Sequence, residues 1–505
     1  MKNGDNQKAI GIFIKKLREK RSLTQGELAE RLKTSQSAVA RMEAGGQNIT
    51  AGELLKIGDA LEHKIVSLSD SIDFKIIGGK KLKGAIKTNS SKNGAMGLLC
   101  ASLLNKSVTI LHGIPRIEEV NRMLEIFGSL GVKYKWLEKQ TLEINPPKKF
   151  NKNGLLHSSM ANVRSSLMLI PALIHNLKNF SLLHSGGCKM GERTISAHRY
   201  AFENLGIFVK TQSDKYIVSS KFLKPADIVM YEASDTATEN SIMMAALIPG
   251  ITKISFAPPN YQVQEVCFFL EKCGVKIEGI GTANLIIHGV KEINKKIEYY
   301  NSEDPIESMM FISAAITTNS KLKIERCPID FLSLELLKLK VMGLKYKISK
   351  EYFAENGKTK LVDIIVFPSK LKALHDKIHA QPYPGINSDN LPFFVPIATQ
   401  AEGTTLIHDW MWENRAIYFT ELNRLGANIS LADPHRVFIN GPTKLKPAQV
   451  VCPPALRPAM IILIAMLAAP GVSILRNVYS INRGYEDVTE RLNKLGAKIE
   501  LIRNI

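Results

Sequence analysis

Residues 492–501, LNKLGAKIEL, carry the pattern on which the fold depends. A leucine-bearing helical turn ends at Gly496, and apolar residues then alternate with polar ones. Glycine just past a helix ends it at low cost because it adopts positive φ, and a period of two is typical of a half-buried strand. The phrase therefore predicts one helix followed by one strand.

This phrase occurs six times, which makes it the repeating unit of the long part of the chain. The copies are IFGSLGVKYKW, FENLGIFVKT, FLEKCGVKIEG, KLKVMGLKYKIS, LNRLGANISL and LNKLGAKIEL, with glycines at Gly131, Gly206, Gly274, Gly343, Gly426 and Gly496. Successive glycines are 75, 68, 69, 83 and 70 residues apart, which is longer than the usual solenoid repeats. The sequence therefore predicts a mixed α/β (α+β) protein of six units assembled into compact domains.

The composition is that of an ordinary globular protein, with 505 residues of which 45% are hydrophobic and 23% charged, so several domains are expected. The longest apolar run, residues 459–469, is too short to span a bilayer, and the N-terminus lacks an apolar signal core. We therefore expect a cytoplasmic protein without membrane contact. Six cysteines without paired metal spacing predict free thiols, with no metal site and no cofactor. A net charge of +20 favours phosphate-bearing partners, either nucleic acid or small anions.

The first part of the chain, residues 1–70, has the pattern of a small all-helical domain. Thr24 and Glu27 form a capping box, and Ser35 caps a further helix. Helices are expected over residues 25–32, 36–43 and about 50–61. The tight turn at residues 33–34 between two short helices predicts a helix-turn-helix.

The segment LTQGELAERLKTSQSAVARMEAG resembles the Cro/repressor (XRE) family of DNA-binding domains, over about residues 8–66. In that family the second helix of the motif enters the major groove. The resemblance implies base contacts from Gln36, Ser37 and Arg41. It also implies that Gln25 faces a phosphate, and that the domain binds DNA as a dimer. The alternative is a small helical module for protein interaction.

The stretch GGCKMGERTISAH, residues 186–198, places a cysteine after two glycines and amid positive charge. A neighbouring cation stabilises a thiolate. Cys188, with Lys189, Arg193 and His198 close in sequence, is therefore a candidate acid or nucleophile. The alternative is a glycine turn with an incidental cysteine, because neighbours in sequence need not be neighbours in space.

Further phrases occur in a fixed order along the long part: IIGGKKLKGAIKTNSSKNGAM, VRSSLMLIPALI, GGCKMGER, TATENSIMMAALIPG, DPIESMMFISAA, PYPGINSDN, AEGTTLIHDWMWENR and INRGYEDVTERLNKLGAKIE. Together with the six units, they resemble the enolpyruvyl transferase family, in particular its UDP-N-acetylglucosamine 1-carboxyvinyltransferase branch. The resemblance covers about residues 73–505. It implies an inside-out α/β barrel of two domains, each of three units, with the active site in the cleft between them. Domain I would comprise residues 71–91 and 302–505, and domain II residues 92–301.

The resemblance also implies the reaction. Members of the family move the enolpyruvyl group of phosphoenolpyruvate onto a sugar hydroxyl and release phosphate, and in this branch the acceptor is the 3-hydroxyl of UDP-N-acetylglucosamine, for peptidoglycan precursor synthesis. The site must bind anionic groups, protonate a methylene carbon and deprotonate the attacking hydroxyl. Phosphoenolpyruvate and a UDP-sugar are then the small-molecule partners.

Motif matches assign residues to these tasks. By resemblance, Lys92 and Arg483 are catalytic cations, and Asp389 is the base that acts on the sugar hydroxyl, which Asn93 helps to recognise. Cys188 matches the cysteine that acts as general acid, or in product release, and that fosfomycin alkylates. Further substrate-binding residues implied by the match are Arg164, Arg193, Ser234, Arg415 and Arg457. The alternatives are surface positions for single arginines and a turn role for Asp389.

The sequence departs from the family pattern at three places. Glu192, Thr194 and Ser196 replace the usual alanine, proline and aspartate where the uracil end of the substrate lies in the family. PPNYQVQE, ending at Glu265, replaces a glutamate-bearing segment, and Asn482 replaces an aspartate. Two alternatives stay open: an enolpyruvyl transferase for another nucleotide acceptor, and a ligand-sensing transcription regulator that keeps the fold.

Overall fold

The chain forms two compact units, Met1–Ser71 and Ile72–Ile505. The structure is a computed structural model, and it describes residues 3–21, 23–47, 49–61, 72–156, 164–183, 195–212 and 215–503. Among these residues, no helix combines the length and the apolar character needed to cross a bilayer.

The first unit is helical and follows the predicted capping signals. The Glu27 N–H donates to Thr24 Oγ1 at 3.2 Å, and the Thr24 N–H donates to the Glu27 carboxylate at 2.6 Å. Ser35 Oγ accepts from the Ala38 N–H at 3.2 Å. The helices are Asn3–Lys20, Gln25–Arg31, Gln36–Glu43 and Ala51–Ala60. The predicted helix-turn-helix is confirmed, with each predicted helix end within one residue of the observed one.

A buried ion pair joins the first and third helices of this unit. Arg18 donates from Nε and Nη2 to the two carboxylate oxygens of Glu43, at 2.6 and 3.0 Å. Gln25 Nε2 donates to the same carboxylate at 2.9 Å. Burial alone raises the pKa of Glu43, but the bonds from Arg18 and Gln25 outweigh it and hold this pKa below its ordinary value. The pair therefore stabilises the unit in its ionised form.

Replacing Glu43 by glutamine is expected to lower the free energy of unfolding of residues 1–71 by about 3 kcal/mol, because the buried Arg18 charge loses its counter-charge. Urea denaturation followed by circular dichroism measures the loss. The stabilisation is full above the pKa of an unfolded glutamate, about 4.3, and disappears as the pH falls through the lower pKa of the folded state.

The control for this variant is Glu53→Gln. Glu53 also accepts a hydrogen bond, from the Thr50 N–H at 2.7 Å, but at an exposed helix start. Its replacement is expected to lower the free energy of unfolding much less than Glu43→Gln does, because its carboxylate is exposed to solvent. Equal losses in the two variants would contradict a stabilising role for the buried pair.

The strands in the described part of the second unit form six separate sheets. In the order of hydrogen-bonded neighbours, the first sheet contains Ile297–Tyr300, Thr109–His112, Thr141–Asn145 and Lys133–Trp136, and the second contains Asn179–Leu183, Lys215–Ser220 and Ile207–Thr211. The third contains Lys276–Glu278, Asn284–Gly289, Gly250–Ser255 and Asp227–Val229, and the fourth contains Lys345–Ile348, Lys360–Phe367, Leu322–Pro328 and Ala85–Lys87, with Tyr352–Phe353 paired to Lys360–Phe367. The fifth contains Ile378–His379, Gly403–His408, Arg436–Gly441 and Asn428–Asp433, and the sixth contains Gln449–Val451, Gly471–Arg476, Ile72–Gly78 and Ile499–Arg503.

Among the described residues of the second unit, helices lie between groups of one or more strands along the chain. The α-helices are Lys92–Ser102, Glu118–Ser129, Ile170–Ile174, Ser196–Asn204, Asp235–Ala246, Tyr261–Cys273, Pro305–Thr317, Ser333–Val341, Phe394–Ala398, Leu456–Ala468, Tyr479–Asn482 and Val488–Lys494. Short 3-10 helices are Lys152–Leu156, Arg164–Leu169, Ile329–Phe331, Leu391–Phe393 and Ala416–Leu425. The predicted mixed α/β class is confirmed.

The repeated glycines lie where the phrase predicts them. Gly131, Gly206, Gly274, Gly343, Gly426 and Gly496 have φ angles of 85°, 87°, 98°, 103°, 82° and 95°. A residue with a Cβ is strained at such angles, so glycine ends each helix without that cost. A strand begins within three residues of every one of them. The prediction of six helix-to-strand units is confirmed.

The buried apolar side chains of this unit form two large clusters. One is drawn from residues 95–299. The other is drawn from residues 74–86 and 306–499, together with Tyr261. The helix Tyr261–Cys273 thus contributes its first residue to one cluster and its other buried apolar residues to the other.

The chain passes between the two clusters along two adjacent segments. The Ser91 N–H donates to the Ser302 carbonyl at 2.7 Å, and the Asp304 N–H donates to the Asn89 carbonyl at 2.8 Å. The helix Lys92–Ser102 begins directly after the first of these segments. The crossing therefore fixes the position of the first residues of that helix, which the sequence predicts to be functional.

Candidate active site

Asp389 lies beside two buried arginines. Its Oδ2 accepts from Arg457 Nη2 at 3.0 Å, and its Oδ1 is 3.8 Å from Arg415 Nη1. The side chain of Asp389 keeps 23% of its surface exposed. Burial alone raises the pKa of Asp389, but the charges of Arg457 and Arg415 outweigh it and hold this pKa below its ordinary value. An ionised carboxylate that is still accessible can accept a proton from a ligand.

Both arginines are fixed by further hydrogen bonds. Arg415 donates from Nε and Nη2 to the two oxygens of Asp409, at 2.5 and 2.8 Å, and both side chains are buried. Arg457 Nη1 donates to Tyr485 Oη at 2.8 Å. Neither arginine is a surface residue, so their guanidinium groups are positioned in advance of any ligand.

Lys92 opens the helix Lys92–Ser102 at the same site. Its ammonium lies 2.7 Å from Glu119 Oε2, and its backbone N–H donates to Asp304 Oδ2 at 3.4 Å. The charge of Lys92 also contributes to the lowered pKa of Asp389. The structure therefore brings the predicted cation and the predicted base together.

Asn93 follows Lys92 and is held by a residue that the motif analysis did not assign. Its Nδ2 donates to Tyr261 Oη at 2.8 Å. Asp389 and Arg457 both act electrostatically on this tyrosine. Tyr261 lies in PPNYQVQE, which replaces a glutamate-bearing segment of the family. This departure was the one sequence signal that could have indicated a role for Tyr261.

Ser234 immediately precedes the helix Asp235–Ala246, whose first residue is a second carboxyl group at the site. Asp235 Oδ2 accepts from Asn260 Nδ2 at 2.8 Å. Burial raises the pKa of Asp235 to about 6, and the charge of Asp389 adds to this shift although the bond from Asn260 opposes it. Sequence analysis missed Asp235, although it is adjacent to the matched Ser234.

Arg483 follows the short helix Tyr479–Asn482. Its Nε is buried and has no hydrogen-bond partner among the residues that the structure describes. A buried cationic N–H without a partner is costly unless a ligand or a solvent molecule satisfies it. Two residues further on, Tyr485 contacts Arg457, which links this segment to the Asp389 cluster.

Three predicted residues lie wholly or partly outside the description. Cys188 and Arg193 fall within residues 184–194, which lie outside the described ranges. Arg164 begins the 3-10 helix Arg164–Leu169, and only its backbone is described. Their roles stay predictions.

His198, which the sequence places near Cys188, is buried against the helix Asp235–Ala246. Its Nδ1 lies 3.0 Å from Asn240 Nδ2, and its Nε2 lies 3.4 Å from Thr236 Oγ1. These two contacts position the imidazole against the helix. The proximity of His198 to Cys188 stays a prediction.

Buried thiols account for all cysteines in the described ranges: Cys100, Cys267, Cys273, Cys327 and Cys452. Burial raises the pKa of each, to about 12 for Cys273, Cys327 and Cys452. Because the thiolate is the reactive form, these five cysteines are poor nucleophiles.

In the helical unit, the predicted base-contacting residues Gln36, Ser37 and Arg41 are exposed on the helix Gln36–Glu43. This exposure is compatible with groove contacts. Gln25 is half-buried, and its amide donates to Glu43. Its predicted phosphate contact would therefore compete with a bond inside the unit.

Comparisons with known proteins agree with this architecture. Residues 76–492 match the family described as EPSP synthase (3-phosphoshikimate 1-carboxyvinyltransferase), and residues 14–64 match the helix-turn-helix family. The chain is 36% identical over 430 residues to UDP-N-acetylglucosamine 1-carboxyvinyltransferase of Treponema denticola, covering 85% of this chain and 99% of the relative. It is 32% identical over 438 residues to the protein of the same name from Bradyrhizobium diazoefficiens, covering 85% and 98%.

Solved structures show the same fold. The enolpyruvyl transferase NikO from Streptomyces tendae superimposes with a TM-score of 0.74 at 22% identity, covering 86% of this chain and 100% of that one. EPSP synthase from Acinetobacter baumannii gives a TM-score of 0.64 at 18% identity, covering 85% and 100%. The six α/β units and the family match over residues 76–492 thus define a carboxyvinyltransferase fold. The chain belongs to the EPSP synthase family of enolpyruvyl transferases, and it carries a helix-turn-helix domain in addition.

Proposed function

We propose that the protein transfers the enolpyruvyl group of phosphoenolpyruvate to the 3-hydroxyl of UDP-N-acetylglucosamine in the cytoplasm and releases phosphate. Relatives with that activity in their names share 32–36% identity over almost their whole length. The observation that carries the mechanism is the Asp389 carboxylate, which is kept ionised between Arg457 and Arg415 beside Lys92. A base and fixed cations in one site are what addition of a hydroxyl to an anionic enol ester requires.

In the first step, Asp389 removes the proton of the attacking hydroxyl, which Asn93 helps to hold. The hydroxyl oxygen bonds to C2 of phosphoenolpyruvate, while Cys188 gives a proton to C3. The resulting tetrahedral adduct then loses phosphate from C2 and a proton from C3, which restores the double bond, and the Cys188 thiolate takes up that proton. The proton that Asp389 removed from the hydroxyl leaves with the phosphate, so both residues return to their starting forms.

Cations hold the phosphate and the carboxylate during these steps. Lys92 and Arg483 are the proposed catalytic cations, and the buried Nε of Arg483 supports this role for that residue. Arginine pairs with oxyanions in a bidentate manner. In this structure Glu119 neutralises Lys92 at 2.7 Å, so binding of a phosphate group exchanges one anion for another at the ammonium. Further substrate contacts are proposed from Arg164, Arg193, Ser234, Arg415 and Arg457.

We also propose that residues 71–91 and 302–505 form one domain and residues 92–301 the other. The two apolar clusters support this division, because their members change at residues 86–95 and 299–306. The paired backbone segments at Ser91 and Ser302 then act as the hinge. The site residues come from both sides of this hinge, so closure of the domains completes the site.

The test is release of phosphate by the full chain. Purified protein with phosphoenolpyruvate and UDP-N-acetylglucosamine is expected to liberate one phosphate per enolpyruvyl product, followed by a coupled phosphate assay and mass spectrometry. No release with this acceptor or with a panel of other nucleotide sugars would overturn the proposed activity.

A second candidate is the same reaction on a different nucleotide acceptor. The observation that favours it is the departure after Cys188, where Glu192, Thr194 and Ser196 replace the alanine, proline and aspartate that the family usually has at the uracil end of the substrate. The ratio of kcat/KM values for UDP-N-acetylglucosamine and for the other nucleotides decides between the two acceptors.

We further propose that the helix-turn-helix domain binds DNA as a dimer through Gln36, Ser37 and Arg41. Their exposure on one helix supports this role. Selection of DNA from a random pool by the full chain, with sedimentation to give the stoichiometry, tests it. A monomer that enriches no sequence would favour the protein-interaction alternative. The other alternative is a ligand-sensing transcription regulator. It would be supported if the wild type showed no turnover and a Cys188→Ser protein still regulated a DNA target in response to ligand.

A further inference from the structure

Tyr261 is a buried polar side chain in the candidate site to which the proposed mechanism gives no role. It begins the helix Tyr261–Cys273 and is only 6% exposed. Its hydroxyl accepts a hydrogen bond from Asn93 Nδ2 at 2.8 Å. Buried hydroxyl groups of tyrosine usually have such a partner, and here the partner is a predicted substrate-binding residue.

The ring of Tyr261 is anchored independently of that bond. It packs edge-on against Phe331 with 5.8 Å between ring centroids, and Phe331 packs against Tyr383 at 5.1 Å. Through these contacts the ring belongs to the apolar cluster of residues 306–499, although its helix belongs to the other cluster. The position of the hydroxyl is therefore set by the helix of Tyr261 on one side of the hinge and by the packing of its ring on the other.

The charges around this hydroxyl keep it neutral. Burial raises the pKa of Tyr261 well above its ordinary value, and the carboxylates of Asp304 and Asp389 raise it further, while Arg457 and the Asn93 bond act in the opposite direction. The phenol thus keeps its proton at any working pH, and its oxygen remains a steady acceptor for the Asn93 amide.

We propose that Tyr261 is a positioning residue for the acceptor substrate, acting through Asn93. An amide group is planar and its nitrogen carries two hydrogens, so fixing one N–H on the tyrosine also fixes the direction of the other. The second N–H is then set to donate to the oxygen of the attacking hydroxyl, which leaves the hydrogen of that hydroxyl for the base Asp389. This inference rests on the proposed function, because it assumes that Asn93 recognises the hydroxyl.

Tyr261→Phe tests the proposal because it keeps the ring and its packing and removes only the hydroxyl. The expected result is a fall of about tenfold in kcat/KM for the acceptor, because the variant loses one buried hydrogen bond. The KM for phosphoenolpyruvate is expected to stay within about twofold. A general loss of structure would instead change the kinetic constants for both substrates and lower the melting temperature.

Tyr299→Phe is the matched control. Tyr299 is also buried, its hydroxyl donates to Glu265 at 2.9 Å, and its ring packs edge-on against Phe269. Removal of this hydroxyl takes away a comparable hydrogen bond without touching Asn93. The acceptor kinetics of Tyr299→Phe are expected to match those of the wild type.

A double-mutant cycle with Asn93→Ala decides whether the tyrosine acts through the asparagine. With Asn93 removed, Tyr261→Phe is expected to change kcat/KM for the acceptor by less than about twofold, because coupled residues are not additive. A tenfold loss in both backgrounds would overturn the proposal, as would wild-type acceptor kinetics in Tyr261→Phe.

Failure of the proposed function is visible separately, as absence of phosphate release from the wild type. Crystal structures of the wild type and of Tyr261→Phe then decide the inference. A change in the Asn93 rotamer in the variant supports the positioning role. An unchanged Asn93 amide overturns it.

Discussion

Asp389→Asn is expected to lower kcat for phosphate release by about 10²- to 10⁴-fold, the usual contribution of a general base. Asparagine has the same shape as aspartate but cannot take the proton of the attacking hydroxyl. Binding of phosphoenolpyruvate is expected to survive, because Arg415 and Arg457 keep their positive charges. Steady-state kinetics and equilibrium binding of phosphoenolpyruvate measure the two quantities separately.

The pH profile gives an independent test of this base. Although burial works against it, Arg457 and Arg415 hold the pKa of Asp389 below its ordinary value. The ionised base is therefore present above about pH 4 and is lost only as the pH falls further. A change in kcat/KM near pH 6 is expected from Asp235, whose pKa burial raises to about 6. Asp235→Asn should remove that change and leave the more acidic one.

Asp433→Asn is the control for loss of a carboxylate. Asp433 forms an exposed ion pair with Arg436 at 2.6 Å, in a strand outside the site cluster. Its kcat is expected to match that of the wild type. A kcat of Asp389→Asn within about threefold of the wild type, with the variant correctly folded, would show that Asp389 is not the base.

Fosfomycin is expected to add once per chain, at Cys188, and to abolish activity. The physical reason is the contrast between this cysteine and the other five. Burial raises the pKa of each of those five thiols, so almost no thiolate is present at neutral pH. Cys188 has Lys189 and Arg193 close in sequence, and cations favour the thiolate. Peptide mapping by mass spectrometry locates the adduct.

Two variants complete this test. Cys188→Ser is expected to form no adduct and to lose at least about 100-fold in kcat, because a serine hydroxyl is a much weaker acid toward carbon. Cys452→Ser is expected to react and turn over like the wild type. An adduct on any of the five buried cysteines would contradict the prediction, as would an unmodified Cys188 in an enzyme that is active.

Local patterns predicted the fold well because the signals act over a few residues. A glycine at positive φ ends a helix whatever lies elsewhere in the chain, and Gly496 and its five counterparts behave in this way. The capping box of Thr24 and Glu27 is equally local. These features depend on backbone geometry within one turn, so a single sequence reveals them.

The arrangement of the site residues depends on contacts between distant parts of the chain, which a single sequence does not show. Asn93 and Tyr261 are 168 positions apart, and no spacing rule connects them. The amide of Gln25 reaches Glu43, which is 18 positions away, and no local pattern predicts that bond. The phosphate contact of Gln25 stays a prediction. Motif matching supplied Asp389 and the arginines, whereas the buried Asp409 that fixes Arg415 was found only from the structure.

The position of the strand Ile72–Gly78 in its sheet determines the order in which the two units of the chain fold during synthesis. The strand lies between Gly471–Arg476 and Ile499–Arg503 and is antiparallel to both, so its sheet is complete only after residue 503 has been synthesised. The unit Met1–Ser71 has its own core and waits for none of these residues. At about 5–20 residues per second, synthesis of the rest takes roughly 20–90 seconds. For that time every nascent chain carries a folded helix-turn-helix unit without an enzyme, and translation separates the two in time.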